Sequence, residues 1–273
     1  MIAEDRSKHA IIVLCHRLPD QVRALQESLS GPRILTFLHV DARVNYNKFV
    51  AQSSVLVQKR EECQWGSLGT VLATLNAFRQ IVQSDQIKTV SLISGQDISL
   101  RSSQDLALAL DECKVPWMDF DWTEDRRRYR YRYHHIMVEG KIARLLSRIR
   151  IGFRINDRNP RTLPAGLSFK CGSAWWTLPI EIVRNILQYC DSHPEVLSFF
   201  RSTSIPDEMF FQIIVSAVYD GPISSSRRYI DWSRGGAHPA VLDYTDIQRA
   251  RSSSAIFARK VDIAITPDIF LQR

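Results

Sequence analysis

The stretch SIPDEMFFQ, residues 204–212, carries two adjacent carboxylates that could do acid–base chemistry. Asp207 and Glu208 follow Pro206, and proline suits the first turn of a helix because its missing N–H is not needed there. Acidic side chains in that turn are stabilised by the positive end of the helix dipole. A carboxylate that faces a cleft would instead accept a proton from an attacking hydroxyl as a general base. The stretch therefore predicts a helix start and leaves the role of its two acids open.

Three further polar side chains, His16, Asp41 and Asp97, each come directly or closely after an apolar run. Such runs are typical of strands that are buried on both faces of a parallel sheet. Ligands of these sheets bind at the carboxyl ends of the strands. A single aspartate in this position can simply close a turn or cap a helix. The recurrence at successive strands favours a pocket, because a pocket needs convergent polar groups.

Asp119-Phe120-Asp121 spells DxD, the pattern by which many nucleotide-sugar transferases hold a divalent metal on the diphosphate. A three-letter pattern arises easily in a chain with 29 acidic residues, so we keep this metal site as an alternative. The seven histidines have neither HxxxH nor HExxH spacing, which argues against a zinc site. The sequence also lacks the P-loop and the G-x-S-x-G elbow of hydrolases.

The run DRRRYRYRYHH, residues 125–135, combines basic and aromatic side chains. Such a combination can bind single-stranded nucleic acid by phosphate pairing and base stacking. The strict alternation of Arg and Tyr has a period of two, which instead predicts an edge strand or loop. We favour that structural interpretation, and a nucleic-acid-binding module remains the alternative. Arg and Tyr would also suit the lining of a sugar cleft.

Composition restricts the class of protein. The net charge of +7 suits an anionic partner such as a nucleic acid, a membrane surface or a phosphate-bearing substrate. The five cysteines are widely spread and form no CxxC pair, which predicts reduced thiols. No run is long enough for a membrane span, and the first residues do not resemble a signal peptide. We therefore expect a cytoplasmic protein.

Apolar runs alternate with helical patterns over the first 120 residues. The helical patterns begin at Pro19, at Ser67 and near Ser103, while WMDFDW at 117–122 predicts a fifth strand. This alternation is typical of a mostly parallel α/β sheet flanked by helices.

The second half of the chain predicts a helix up to about Ile149, a polar loop at 155–166, two further helices and two short strands. We interpret the whole as a single domain over 1–273. A nucleotide-binding half would occupy 9–120, and a loop-rich acceptor and catalytic half would occupy 121–273.

Nine short motifs, taken in order, resemble one protein family. They are VLCHRLPDQVRAL, FLHVDAR, QWGSLGTV, LISGQDISL, CGSAWWTLPIEIV, IPDEMFFQIIV, RRYIDW, GGAHP and SAIFARKVD. Together they are similar to the core-2/I-branching glycosyltransferases, the family that also holds the peptide xylosyltransferases. The likeness covers roughly residues 9–262 and is weakest from 120 to 165. Absence of the family's Golgi anchor and stem makes the chain similar to bacterial members.

The resemblance implies a GT-A-like (Rossmann-like) fold and an inverting transfer from a UDP-sugar to a carbohydrate hydroxyl. It also implies no metal cofactor, because members of the family neutralise the diphosphate with basic side chains. By the same likeness Glu208 is the catalytic base and Lys260 binds the diphosphate, while Asp207 becomes a helix cap. The chemistry agrees, because a carboxylate can take the acceptor's proton and fixed cations can stabilise the leaving UDP.

The remaining donor residues are less directly implied. His16, Asp41 and Asp97 at the strand ends would contact the nucleotide. Some family members use a second cation from the loop before the last helix, and Arg234 is the nearest arginine there, with His238 and Arg259 as rivals.

Acceptor-side candidates come from two sources. Arg130 and Arg132 lie in the weakly matched region, and Trp65 and Trp232 flank matched motifs where they could stack on sugar faces.

We expect GlcNAc as the transferred sugar, with xylose second, and an acceptor that is a carbohydrate or glycolipid in surface polysaccharide synthesis. The expected partners include no nucleic acid, and the protein would contact the inner membrane peripherally from the cytoplasm. The two alternatives are a metal-dependent transferase that uses Asp119 and Asp121, and a nucleic-acid-binding module that uses residues 125–135.

Overall fold

The computed structural model describes residues 7–121, 127–136, 153–155, 160–235 and 238–270. Its centre is a five-stranded sheet with the strand order β3-β2-β1-β4-β8. These strands are β1 (Lys8–Cys15), β2 (Ile34–Val40), β3 (Ser54–Leu56), β4 (Ile87–Ser94) and β8 (Thr177–Pro179). The first four are parallel to one another, and β8 pairs antiparallel with β4. The α/β class and the mostly parallel sheet are thus confirmed.

Alternate side chains of β1 lie in two different hydrophobic clusters. Ala10 and Ile12 belong to one cluster, and Ile11 and Val13 belong to the other, with no exposed surface on any of the four. Successive side chains of a strand point to opposite faces, so the sheet is covered on both sides. This explains why β1 is a continuous apolar run rather than an alternating one.

Helices cover both faces of the sheet. One cluster takes in residues of α2 (Gly69–Ile81), α5 (Ile180–Ser192), α6 (Pro194–Phe200) and α7 (Phe210–Val218). The other takes in residues of α1 (Pro19–Leu29), α3 (Ser103–Asp111) and α8 (Tyr244–Arg251). Complete burial of a Leu, Ile or Phe side chain contributes about 1.5–3 kcal/mol, so these faces fix the sheet on which the polar strand ends lie.

A second, three-stranded sheet joins the two halves of the chain. Its strands are β5 (Asp97–Ser99), β10 (Phe257–Arg259) and β9 (Arg228–Ile230), in that order. Because β10 runs antiparallel to β5 and parallel to β9, the segment after Arg259 lies near the carboxyl end of β4. The hydrogen bond from Val261 N to Gln96 O, at 2.8 Å, fixes that position.

Two predictions about local structure are wrong. WMDFDW forms no continuous strand in its described part, where Trp117 and Phe120 make isolated bridges only. The alternating Arg–Tyr run forms the short helix α4 (Tyr129–Arg132) instead of a strand, and β6 (His134–Ile136) follows and pairs with β7 (Phe153–Ile155). Tertiary contacts explain the helix, because Tyr131 packs on Phe169, with ring centroids 5.0 Å apart.

The predicted helix up to Ile149 and residues 156–159 of the polar loop lie outside the described residues. Within the described ranges, no helix combines the length and the apolar character that crossing a bilayer requires.

Candidate active site

The PDE segment forms a 3-10 helix, Pro206–Glu208, and α7 begins only at Phe210. Ile205 precedes it in a left-handed conformation, with φ 51°, and Ile205 N donates to Gly66 O at 3.0 Å. The helix start predicted here is confirmed. The assignment of Asp207 as its cap is wrong, because neither helix has a side-chain hydrogen bond at its N-cap.

Two arginines hold the Glu208 carboxylate. Arg130 Nη1 lies 2.7 Å from Glu208 Oε2, and Arg127 Nη1 lies 3.2 Å from the same oxygen. Within the described part of the chain, Oε1 has no such partner, and the Glu208 side chain is 34% exposed. The two guanidinium groups therefore orient the carboxylate and leave one oxygen available to a ligand. Arg130 is in turn tied to the PDE segment, because its carbonyl accepts from Ser204 N at 2.9 Å.

Asp207 differs from Glu208 in its surroundings. Burial raises the pKa of Asp207 to about 6, and the negative charge of Glu208 raises it as well, while Arg130 and Arg259 oppose the rise. A carboxyl group that is forced towards neutrality at a cleft can be a functional acid or base. Asp207 is therefore a rival to Glu208 for the role of base.

Asp207→Asn should stabilise the protein at pH 8 by about 1–3 kcal/mol and by roughly half as much at pH 5. The folded-state pKa of about 6 lies above the ordinary value of 3.8, so Asp207 contributes stability below about pH 4 and loses it as the pH rises through 6. Urea unfolding of the variant and of wild type at both pH values measures the difference. The exposed Asp220→Asn is the matched control. An equal gain at both pH values would contradict this assignment.

A cluster of positive charge lies at the carboxyl end of β1. Partial burial lowers the pKa of Lys260, and the neighbouring charges of Arg17 and Arg259 lower it further. His16 belongs to the same cluster, because desolvation and then Arg17 lower the pKa of its ring, with a contribution from Lys260. Cations that repel one another in this way would gain free energy from a bound anion.

Asp41 is at the end of β2 as predicted, but its side chain is only 1% exposed. Its two carboxylate oxygens accept from Arg43 N, Arg43 Nε, Arg43 Nη2 and Cys63 N at 2.7–2.9 Å. Burial alone would raise the pKa of Asp41, but these hydrogen bonds outweigh it and hold the pKa at about 2. Asp41 therefore anchors the loop that leads to Trp65, and any contact with a nucleotide would be additional to that role.

Asp97 is equally buried, at 1% exposure, and it lies in β5 rather than in a free loop. Its carboxylate accepts from Ser94 N at 3.0 Å and from Ser94 Oγ at 2.8 Å. Arg259 Nε lies 3.4 Å from Asp97 Oδ1, and the Arg259 guanidinium lies 4.0 Å from the centroid of the Trp175 ring. The structure thus places Asp97 behind Arg259, where it orients that cation.

Arg234, predicted as the second diphosphate cation, is turned towards acidic side chains. Its Nη2 lies 2.8 Å from Asp246 Oδ2, and its Nη1 donates to Val241 O at 3.3 Å. Asp246 belongs to the capping box at the start of α8, so Arg234 stabilises a helix start. Val241 lies between Ala240 and Leu242, which both pair with the backbone of Lys260, so the role of Arg234 as second diphosphate cation stays a prediction.

The two predicted sugar-stacking tryptophans are both exposed, Trp65 at 65% and Trp232 at 56%. Trp65 precedes Gly66, whose carbonyl holds the PDE segment, so it lies on the side of Glu208. Trp232 follows β9, which runs parallel to β10 and ends on the side of Lys260. Trp65 therefore lies on the Glu208 side of the site, and Trp232 lies on the Lys260 side.

Asp119 and Asp121 each have a hydrogen-bond or ion-pair partner within the protein. Ser226 donates to Asp119 through its backbone N at 2.9 Å and through its hydroxyl, and Arg127 Nη2 lies 2.8 Å from Asp121 Oδ2. Across the described ranges, no group of three or more His, Cys, Asp and Glu side chains is placed to hold a metal ion. A cation bound by the DxD pattern would have to replace these protein partners of Asp119 and Asp121.

Sequence reasoning missed two residues of this site. Arg17 follows His16 at the end of β1, so the argument that selected His16 could also have selected Arg17. In the structure, Arg17 Nη2 donates to Gln96 Oε1 at 2.7 Å. Arg127 belongs to the basic run, but only the fold brings that run to Glu208, 81 residues later.

Residues 15–253 match the profile of the family described as Core-2/I-Branching enzyme. The chain belongs to this family of glycosyltransferases. A curated relative, "Xylosyltransferase oxt" of Drosophila melanogaster, is 23% identical over 299 residues. The match covers 96% of this chain and 32% of the fly protein, so the chain spans about a third of the length of that relative.

Solved structures also resemble the fold. Mouse xyloside xylosyltransferase 1 in its apo form matches with a TM-score of 0.39 and 9% identity, covering 92% of this chain and 97% of the mouse chain. The apo structure of the bifunctional glycosyltransferase WbbM matches with a TM-score of 0.43 and 10% identity, covering 94% of this chain and 46% of WbbM.

Proposed function

We propose that the protein transfers a sugar from a UDP-sugar to a hydroxyl group of a carbohydrate or glycolipid acceptor. The transfer inverts the anomeric carbon and needs no metal ion. The observation that carries this proposal is the proximity of Arg259 to both groups of charged side chains. Arg259 is close enough to influence the pKa of both Asp207 and Lys260, so it links the carboxylates of the PDE segment to the cations at β1.

Glu208 is the proposed base. The acceptor oxygen forms a bond to the anomeric carbon while the bond between that carbon and the UDP oxygen breaks, and the acceptor proton passes to Glu208 Oε1. Arg127 and Arg130 hold Oε2 and so keep Oε1 available to the acceptor. A single displacement of this kind inverts the anomeric centre, and a positioned base typically contributes about 10²–10⁴-fold to the rate.

Lys260 and Arg17 are the proposed diphosphate ligands. The leaving UDP gains negative charge in the transition state, and fixed cations aimed at it stabilise that state. At an effective dielectric of 20, an ammonium about 4 Å from a phosphate oxygen contributes roughly 4 kcal/mol of Coulomb energy. Two such cations would take the place of the metal ion that a DxD transferase uses. His16, at the end of β1, is the proposed contact for the base or ribose.

GlcNAc remains our first proposal for the transferred sugar and xylose the second. The acceptor is proposed to be part of a surface polysaccharide, made at the cytoplasmic side of the inner membrane. The net charge of +7 supports peripheral contact there, since anionic lipid headgroups attract basic surfaces.

The test is a panel of UDP-sugars scored by thermal shift and by slow hydrolysis, each with and without EDTA. A ligand that binds the folded state alone raises the apparent stability, so the correct donor should give the largest shift. We expect UDP-GlcNAc to give it, and we expect hydrolysis to survive EDTA. Loss of both signals in EDTA would contradict metal independence, and no shift with any UDP-sugar would contradict the proposed donor class.

A further inference from the structure

A cavity of about 490 Å³ lies between α4 and the segment 160–170. Four basic residues line it: Arg128, Arg132, Arg161 and Lys170. No acidic side chain belongs to its lining within the described part of the chain. Leu163 and Leu167 add apolar surface to this otherwise cationic groove.

The geometry of α4 relates the groove to Glu208. Arg127 and Arg130, three residues apart, point to Glu208. Arg128 and Arg132, four residues apart, line the groove, and residues with this spacing share one face of a helix. The proposed base and the groove therefore lie on different faces of α4. The diameter of a helix with its side chains, about 10–12 Å, sets the distance between them.

The groove is also built into the fold. Arg161 N donates to Arg132 O at 2.9 Å, which fastens the segment 160–170 to α4. The Arg161 guanidinium lies 3.9 Å from the centroid of the Phe199 ring and donates to the carbonyls of Phe199 and Ser202. All of these partners are neutral, so the charge of Arg161 is held in place without being neutralised by them.

We propose that this groove binds an anionic part of the acceptor, so that the acceptor is a saccharide carrying carboxylate or phosphate groups near the hydroxyl that is glycosylated. The proposal rests on the proposed transferase function and adds the charge class of its acceptor. Guanidinium groups match carboxylate and phosphate oxygens in a bidentate way, and the apolar floor suits the C–H face of a sugar ring.

A single-stranded nucleic acid would need exposed aromatic faces on which its bases could stack. The aromatic side chains of the groove do not offer them. Tyr131 is 9% exposed and packs on Phe169, which is 7% exposed. The groove therefore fits a charged saccharide better than a nucleic acid, and binding of a nucleic acid becomes an outcome of the test.

The experiment compares probes that differ only in charge. An oligogalacturonide and its methyl ester have the same length and shape, and a phosphorylated malto-oligosaccharide supplies the phosphate arm. Affinities are measured by calorimetry on the full chain saturated with UDP, with oligothymidylate as the nucleic-acid arm. We expect at least one anionic saccharide to bind about tenfold tighter than the neutral ester, a ratio that corresponds to about 1.4 kcal/mol.

The double substitution Arg132→Gln and Lys170→Gln should remove this preference. Lys48→Gln with Lys114→Gln, at exposed positions outside the lining, removes the same net charge and should preserve it. The proposal would be overturned if neither anionic saccharide bound tighter than the neutral ester, if the two double variants lost affinity equally, or if oligothymidylate bound tighter through the same two residues. If wild type binds UDP but shows no preference for anionic saccharides, only the anionic acceptor is refuted. If wild type binds no UDP, the transferase function is refuted.

Discussion

Glu208→Gln is expected to lower the rate of sugar transfer by about 10²–10⁴-fold. Glutamine keeps the size of the side chain and can still accept from Arg130, but it cannot take the acceptor's proton. UDP affinity should stay near that of wild type, because the diphosphate is proposed to contact Lys260 and Arg17. Steady-state transfer with a fixed acceptor and calorimetric binding of UDP measure the two effects separately.

Asp207→Asn is the matched control for this prediction. It makes the same chemical change one residue earlier, and Asp207 has the raised pKa that a general base can also have. We expect its rate to stay within about tenfold of wild type, since Glu208 and its two arginines are preserved. Loss of transfer in Asp207→Asn with normal transfer in Glu208→Gln would make Asp207 the base. Normal transfer in both variants would leave the PDE segment with a structural role alone.

Glu208→Gln removes the proton acceptor and also two ion pairs, and these two effects must be distinguished. Glu208 neutralises Arg127 and Arg130, so its replacement leaves the 11% exposed Arg130 without a charged partner at Glu208. An unfolding curve of Glu208→Gln measures that structural effect. A rate loss with unchanged stability supports catalysis, and a rate loss that follows instability does not.

Sequence periodicity predicted most of the sheet and its helices. The apolar runs predicted the buried strands, and the helical patterns at Pro19 and near Ser103 predicted the starts of α1 and α3, because each has clear ends. The period-two run at Arg128–Tyr133 failed. The packing of Tyr131 against Phe169 and Phe199 favoured a helical turn there.

The position of the site followed from the strand ends, but the roles of individual side chains did not. Asp41 and Asp97 occupy the predicted edge, and both are buried among hydrogen-bond donors that the sequence does not reveal. Arg234 was selected by its distance along the chain from the last helix, whereas the acids of that helix's own capping box determine where it points. Contacts between distant segments, such as Arg127 with Glu208, cannot be read from local pattern at all.

Lys260→Ala should weaken UDP binding by about 10- to 100-fold while uridine binds within about twofold of wild type. Uridine lacks the diphosphate, so a side chain that contacts only the phosphates cannot affect its affinity directly. Burial and the charges of Arg17 and Arg259 already lower the pKa of Lys260, and a bound diphosphate would relieve that repulsion. We therefore expect UDP binding to raise the pKa of Lys260 and to cause proton uptake at alkaline pH. Heats of binding measured in buffers of different ionisation enthalpy would detect this uptake.

Arg17→Ala tests whether Lys260 acts with the cation that the structure places beside it. We expect a similar loss for UDP, and in the double variant a loss that differs from the sum of the single ones, because residues that share one ligand are energetically coupled. Arg234→Ala is the comparison variant, since its guanidinium is occupied by Asp246. It should leave UDP affinity within about twofold of wild type and reduce stability instead. Equal losses for UDP and uridine in Lys260→Ala, or a larger UDP loss in Arg234→Ala than in Arg17→Ala, would show that the diphosphate binds elsewhere.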